Sequence, residues 1–288
     1  MTRTWRELRA DALGRLPDQE VRWLLEQATG RTAAEQVAVL DDDPDDRQAS
    51  TFLELVDRRS AGEPLQYVLG SWGFRTLDLL VDRRVLIPRP ETELVAGLAI
   101  DAVPAGGRVV DLGTGSGAIA LSIAAERWPD VEVWATDASP DALAVARANL
   151  AGLGRRAEVV RLAEGDWFEA LPEDLRGTFD VVVSNPPYVA TGDALPSEVA
   201  GWEPSGALMA GVDGLDDLRR IIAAAPGWLA PDGALVLEIG ETQGPAVLAL
   251  AEAAGFAGAA VHADLTGRPR AVVAIRTRSP SPSSHELG

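Results

Sequence analysis

Apolar residues recur at helical spacing through the first seventy positions and then change rhythm. Trp5, Leu8, Ala12 and Leu13 fall on one helical face, as do Val21, Leu24, Leu25 and Ala28. Gly30 follows the second run and marks its stop. The acidic stretch Asp41 to Asp46 contains Pro44 and reads as a turn. Beyond it, Phe52, Leu55 and Val56 form the apolar face of another helix. Residues 1–70 are therefore expected to form a small all-helical domain. From Trp72 to Ile87, extended patterning takes over, with Phe74, Leu77, Leu79, Val81 and Val85 apolar. This predicts a β-hairpin or extended connector over residues 71–90. Its end, Ile87 to Pro90, is extended because each proline disfavours helix at the residue before it.

From about residue 91, strand and helix patterns alternate. Strands are expected at Arg108–Leu112, Val131–Thr136, Ala157–Leu162, Phe179–Ser184, Gly233–Ile239, Ala259–His262 and Arg270–Ile275. Helices are expected at Ser116–Arg127, Pro140–Leu150, Asp217–Trp228 and Gly244–Ala254. Pro140 suits a first helical turn. Such alternation implies a parallel sheet covered by helices on both faces. The α/β domain is assigned to residues 91–276, and the Ser/Pro-rich remainder, 277–288, is expected to be a disordered tail.

Composition removes several function classes. The sequence has 288 residues and no cysteine, which excludes a disulfide framework, a thiolate metal site and a cysteine nucleophile. Its two histidines, His262 and His285, are far apart, so neither a histidine metal site nor a Ser-His-Asp triad is expected. No apolar run is long enough to span a membrane, and the Arg-rich, acid-bearing start does not resemble a secretory signal. A cytoplasmic monomer is expected. The formal net charge is -18, most of it on residues 85–288, and every basic residue outside histidine is arginine. That balance argues against non-specific nucleic-acid binding, which needs cations to displace phosphate counterions.

Two motifs carry chemistry. The first is Val109-Val-Asp-Leu-Gly-Thr-Gly-Ser-Gly117, which ends a strand and opens a helix. Gly113, Gly115 and Gly117 permit a tight turn and close ligand approach, while Thr114 and Ser116 lie between them. The spacing is G-x-G-x-G rather than the dinucleotide G-x-G-x-x-G. Asp111, just before the glycines, would repel a pyrophosphate but suits an ammonium or sulfonium. S-adenosylmethionine is therefore favoured over a nicotinamide or flavin cofactor. Asp137, at the end of the second strand of this sheet, is placed to bind ribose hydroxyls. After the third strand, Asp166 is a candidate acceptor for the adenine amine and Trp167 a candidate to pack on the ring. A buried tryptophan beside a capping aspartate is the competing reading.

The second motif, Asn185-Pro186-Pro187-Tyr188, directly follows the fourth strand. Ligands of open α/β sheets bind beyond the carboxyl ends of strands. Consecutive prolines fix φ and remove N–H donors, so the Pro186 carbonyl is rigidly held. The Asn185 side chain supplies a second acceptor, and two acceptors converging on one NH2 group would hold both its hydrogens. Tyr188 can pack against a planar group. The tetrapeptide thus suits methylation of a planar amide or amine nitrogen.

With these residues in view, the chain resembles the release factor glutamine methyltransferase family of the PrmC/HemK type. Gly62-Glu-Pro-Leu-Gln-Tyr-Val-Leu-Gly70, Val85-Leu-Ile-Pro-Arg-Pro-Glu-Thr-Glu93, Trp202-Glu-Pro204, Gly211-Val-Asp-Gly-Leu215, Glu238-Ile-Gly240, Gln243-Gly244 and Asp264-Leu-Thr-Gly-Arg-Pro-Arg270 carry the likeness. It departs at Phe74-Arg75, where an aromatic-Gly pair is usual, and at Trp202, where tyrosine is usual. The resemblance implies a Rossmann-like class I methyltransferase sheet with a helical N-terminal domain that binds class I peptide chain release factors. It implies a Gly-Gly-Gln glutamine amide as substrate. Cofactor contacts would fall on Gly113 to Gly117, Asp137, Trp167 and Asn185, and substrate contacts on Asn185 to Tyr188. Glu91, Thr92 and Glu93 either touch the cofactor or fix the connector. The alternatives are glutamine methylation of a large-subunit ribosomal protein, adenine amine methylation on nucleic acid, and a non-catalytic relic of the fold.

Overall fold

The computed structural model describes residues 3–277 and divides into two compact units. The expected tail lies outside the described residues from 278 onward, as does His285.

The helical unit comprises residues up to Trp72, with Val81–Arg83 and Leu195–Glu203. Its helices are α1 (Trp5–Leu13), α2 (Asp18–Thr29), α3 (Ala33–Ala38), α4 (Asp46–Ser60) and α5 (Leu65–Leu69). Thr4 and Glu7 cap α1 reciprocally, which satisfies two otherwise orphan N–H groups. Gly30 ends α2 and Gly70 ends α5, each left-handed at φ 67° and 78°. Trp5, Leu24, Leu25, Phe52 and Val56 fill the core, with the Trp5 and Phe52 rings packed edge to face at 6.0 Å.

Residues 195–203 contain the short α9 (Ser197–Ala200), whose place in this unit had no signal in the sequence. Glu198 pairs with Arg59 at 2.8 Å, and the Arg83 guanidinium lies 5.3 Å from the centre of the Trp202 ring. A hairpin, β1 (Ser71–Phe74) and β2 (Leu77–Leu80), carries the boundary between the units.

The α/β unit is built on seven strands in the order β5-β4-β3-β6-β7-β9-β8. These are β3 (Gly107–Leu112), β4 (Val131–Asp137), β5 (Val160–Glu164), β6 (Phe179–Ser184), β7 (Leu229–Glu238), β8 (Ala257–Ala263) and β9 (Pro269–Ile275). The strands from β5 to β7 are parallel, whereas β9 runs antiparallel to both β7 and β8. The sheet is therefore mixed at one edge rather than wholly parallel. The short turn Asp264–Arg268 joins β8 to β9 as a hairpin, which requires antiparallel pairing.

Side chains alternate between two covered faces, as a doubly covered sheet demands. Val109, Val181 and Val183 face one layer with α6 (Thr92–Ala102) and α7 (Ala118–Arg127). Val110, Val182 and Leu235 face the other with α10 (Asp216–Ala224) and α11 (Gly244–Ala253). The remaining helix, α8 (Pro140–Gly152), follows β4 and opens with Ser139 as its cap. Burying each branched core residue contributes ~1.5–3 kcal/mol.

Three boundaries differ from the sequence expectation by three or more residues. Residues 154–159 form a 3₁₀ turn, so the third strand of the sheet begins at Val160; polar Arg155, Arg156 and Glu158 give no alternation there. Pro226 ends α10 early, at Ala224. Strand β7 begins at Leu229, four residues before the expected Gly233. Helix α6 was absent from the expectation, since its sequence is apolar around most of its circumference and lacks periodic contrast. Among the described residues, no helix is long and apolar enough to cross a membrane, and no His/Cys/Asp/Glu cluster could hold a metal.

Candidate active site

Strand order reverses beside β3: β4 and β5 lie to one side, β6 and β7 to the other. Such a switch point opens a crevice at the carboxyl ends of the strands. A cavity of about 520 Å³ lies there, entirely within the α/β unit. Gly113, Thr114, Gly115, Ser116, Asp137, Asp166, Trp167, Asn185 and Pro187 line it, which brings most of the expected site residues together.

The glycine turn is pinned from both sides. The Thr114 amide donates to the Thr136 carbonyl at 2.9 Å, and the Asn149 side chain donates to the Ser116 carbonyl at 2.8 Å. Gly113 has φ +70°, and a Cβ there would stand 3.0 Å from the Trp167 ring. The glycine thus allows the indole to lie against the turn. Gly117 does not line the cavity. It has φ +88° and leaves room for Leu121, whose Cδ1 would lie 2.9 Å from an added Cβ.

Asp111 also stays behind the cavity wall. It is buried, and its Oδ2 accepts from the Thr114 hydroxyl at 2.6 Å and the Ala120 amide at 3.1 Å. Its Oδ1 has no hydrogen-bond partner. Burial pushes this carboxyl up to about 7, opposed by the Thr114 and Ala120 hydrogen bonds and assisted by Asp137. Asp137 ends β4 and lines the cavity. Its two oxygens accept from the backbone amides of Ser139 and Gly115, each at 2.9 Å. Burial raises its pKa, and those two amides draw it back.

Asp166 and Trp167 separate in role. The Asp166 carboxylate pairs with Arg220 through Oδ2 and makes no side-chain cap, while the residue also lines the cavity. Trp167 has φ +48°, and its carbonyl accepts from the Thr136 hydroxyl at 3.3 Å. Asp217, at the start of α10, also lines the cavity. Burial pushes its carboxyl up while Arg220 draws it down. No motif marked it in the sequence.

The tetrapeptide begins directly after β6. The Ser184 hydroxyl donates to the Leu112 carbonyl at 2.7 Å and ties the ends of β6 and β3 together. Asn185 Nδ2 donates to Thr92 Oγ1 at 3.2 Å, and that hydroxyl donates to Glu238 Oε2 at 2.7 Å. Pro186 is buried, and neither it nor Tyr188 lines the cavity. The Tyr188 ring instead packs against the apolar layer holding α10 and α11. Its carbonyl accepts from the Gln243 side chain at 3.1 Å, and burial pushes its hydroxyl up to about 12. Tyr188 therefore anchors the turn, with its ring partly buried in this layer and outside the cavity lining.

Of the acidic triplet left open by the sequence, Thr92 lines the cavity. Glu93 accepts from the Arg75 amide at 3.0 Å, and Glu91 lies 3.7 Å from Arg270. Pro88, Ser139 and Ala142 are further lining residues that sequence reasoning missed. The Pro-rich segment before α6 was the available signal for Pro88.

The donor and acceptor set fits one kind of ligand. The unpartnered Asp111 oxygen suits a cation, the Asp137 carboxylate suits hydroxyl donors, and the Trp167 face suits a planar ring.

Comparison with known proteins gives a consistent result. Residues 93–200 match the Methyltransferase small domain family, and residues 6–70 match the PrmC N-terminal domain family. A release factor glutamine methyltransferase of Burkholderia pseudomallei is 45% identical, over 92% of this chain and 93% of its own length. That of Bordetella pertussis is 44% identical over 88% of this chain and 93% of its own. A methyltransferase structure from Pyrococcus furiosus is similar at a TM-score of 0.51 and 19% identity, covering 71% of this chain and 91% of that one; it speaks to fold alone.

Proposed function

The chain belongs to the release factor glutamine methyltransferase family, and from that premise we propose that it methylates the side-chain amide nitrogen of the glutamine in the Gly-Gly-Gln motif of class I peptide chain release factors, using S-adenosylmethionine. One observation carries the reading: Asn185 and Pro187 line the same cavity as the glycine turn and Asp137. The nitrogen-holding turn and the cofactor-type turn therefore serve one space.

Bound there, S-adenosylmethionine supplies an electrophilic methyl group on a sulfonium. Gly113 to Ser116, Asp111, Asp137 and Trp167 would hold it. Asp111, behind the cavity wall, would favour its cationic end through charge rather than by contact, and Asp137 would accept from its ribose hydroxyls. Asp166 lines the same cavity and would accept from the adenine amine through the carboxylate capacity its ion pair with Arg220 leaves open.

A glutamine amide is a weak nucleophile because its lone pair is delocalised into the carbonyl. Asn185 Oδ1 would accept one hydrogen of the NH2 group at the cavity wall, and the carbonyl of Pro186, which lies just outside the lining, would take the other as the glutamine enters. Fixing both hydrogens directs the nitrogen lone pair and stabilises the positive charge that develops as the N–C bond forms. The sulfonium S–C bond would break as the N–C bond forms, leaving a neutral thioether, and the nitrogen would release its now acidic proton to water, so no strong base is needed. Pro187 contributes no N–H to compete for the two acceptors. The helical unit would recognise the body of the factor, and the protein would act as a cytoplasmic monomer.

The deciding assay transfers labelled methyl from the cofactor to purified release factor, with a Gln-to-Ala factor as control. Label on the glutamine of the normal factor alone is expected. Label on neither protein, or equally on both, overturns the reading. Comparing kcat/KM for the intact factor with that for a short Gly-Gly-Gln peptide checks recognition by the helical unit. Equal values would remove that role.

A further inference from the structure

Thr92 opens α6 and Glu238 ends β7, 146 positions apart in sequence, yet both are buried against Asn185 or its partner. Thr92 is 4% exposed and Glu238 1%. The chain of contacts is short: Glu238 Oε2 to Thr92 Oγ1 at 2.7 Å, then Thr92 Oγ1 to Asn185 Nδ2 at 3.2 Å. Polarity along it follows from elementary valence. An ionised carboxylate only accepts, so the single Thr92 hydroxyl hydrogen points to Glu238. The remaining capacity of that oxygen is as an acceptor. Asn185 must therefore turn its NH2 end to Thr92, and its Oδ1 is directed the other way.

This matters because the two ends of an asparagine amide are nearly the same size. Rotating the amide by half a turn would exchange them at little steric cost. With its NH2 facing the substrate, Asn185 would set donor against donor and could not hold an amide hydrogen. We propose that Glu238 and Thr92 are positioning residues that fix the polarity of the Asn185 amide, so that it presents its oxygen to the substrate nitrogen. This inference rests on the role given to Asn185 under the proposed function.

Burial pushes Glu238 up to about 7; Glu91 raises it further, while Arg270 and Arg89 draw it down. The Tyr188 hydroxyl also senses Glu238 and stays neutral, being pushed up to about 12. Once protonated, Glu238 can donate to Thr92. The Thr92 hydroxyl is then free to donate to Asn185 Oδ1, which permits the reversed amide. The chain therefore sets polarity above about pH 7 and loses that control as pH falls through this value.

Two measurements on the full-length protein test this. The first is kinetic, with release factor as substrate and cofactor saturating. Thr92→Val is expected to lower kcat about ten- to a hundredfold, with KM for the factor and cofactor affinity changed less than about threefold. Thr92→Ser should recover most of the loss. Glu238→Gln should remove the fall in kcat on the acid side of pH 7. Unchanged kcat in Thr92→Val, or an acid limb that survives in Glu238→Gln, overturns the proposal.

The second measurement needs no turnover. The sequence contains two asparagines, Asn149 and Asn185, so selective ¹⁵N-asparagine labelling gives two side-chain amide signals. Asn149 is an internal reference, held by the Leu80 and Ser116 backbone at 2.7 to 3.0 Å. The Asn185 signal should titrate near pH 7 in the unaltered protein and stay flat in Glu238→Gln. An Asn185 signal that is flat in the unaltered protein, or still titrates in Glu238→Gln, refutes the positioning chain. If the factor is not methylated but the Asn185 signal titrates as expected, the proposed substrate fails and the chain stands.

Discussion

Replacing Asp111 by asparagine should stabilise the ligand-free protein at pH 8 relative to its effect at pH 5. Asp111 is fully enclosed, and burial holds its carboxyl at about 7 against an ordinary 3.8. The difference is roughly three units, or about 4 kcal/mol at ~1.4 kcal/mol per unit, as an upper bound on the cost of ionising it in the folded chain. In the unfolded chain the group loses its proton near pH 4, whereas in the folded chain it keeps it until about 7. Its favourable contribution is therefore complete below pH 4 and is lost as pH rises to 7. Of that loss, about 2–3 kcal/mol falls between pH 5 and 8.

An asparagine side chain carries no charge and escapes this loss. Its amide oxygen can still accept from Thr114 and Ala120, but its NH2 takes the place of the unpartnered Oδ1 and costs about 1–2 kcal/mol at every pH. The informative quantity is thus the change in the difference between variant and parent. Scanning calorimetry without ligand should show the Asp111→Asn variant gaining about 5–8 °C in Tm on the parent between pH 5 and pH 8. A saturating cofactor product, which keeps the ammonium though not the sulfonium, should flatten the pH slope of the parent, since a cation near Asp111 favours its ionised form. A Tm difference independent of pH would refute the buried-carboxylate argument. Unaltered cofactor affinity in the variant would remove Asp111 from the cation site.

Asn185→Ala should reduce kcat at least about a hundredfold while cofactor affinity, measured by calorimetry, stays within a few-fold. Equal turnover would show that the side-chain oxygen does not hold the nitrogen. Trp167→Ala should weaken cofactor binding about tenfold, with little change in KM for the factor. Gly214→Ala should lower stability by at least about 1–3 kcal/mol in chemical denaturation. Its Cβ would stand 2.4 Å from the Tyr188 carbonyl at a backbone φ of +71°, so the turn after the tetrapeptide must shift. A variant as stable as the parent would show that this packing relaxes freely.

Local signals made much of this molecule legible in its sequence. Helical spacing around Leu24 and Phe52 and the strand pattern around Val109 and Val181 each arise from neighbours within a few residues. The glycine turn and the Asn-Pro-Pro-Tyr turn were readable for the same reason. Their shared cavity followed from the rule that parallel strands present their carboxyl ends on one edge. What escaped notice depends on distant partners. The ion pair of Asp166 with Arg220, 54 residues later, had no local signal. Tyr188 reads as a ligand-facing ring in sequence, but its ring packs in the α10–α11 layer while Gln243 holds its backbone carbonyl. Thr92 and Glu238 each stood in a family-like segment, but nothing in the sequence paired them; only the packing of α6 on the end of β7 makes them neighbours. Helix α6 was hidden for the opposite reason: burial on most sides erased the periodic contrast that would announce it.

The short α9 excursion has a consequence for how such a protein can be cut or recombined. The chain passes between units after Trp72, Leu80, Arg83, Ala194 and Glu203, so the helical unit is assembled from three separate stretches. Cutting at residue 70 would strip Glu198 of its Arg59 partner while leaving α9 attached downstream of the tetrapeptide. The two units are not separable cassettes. Exchanging the helical unit with that of a relative would require moving residues 195–203 along with the N-terminal helices, and a graft that carries the helices alone would leave the unit without one of its three stretches.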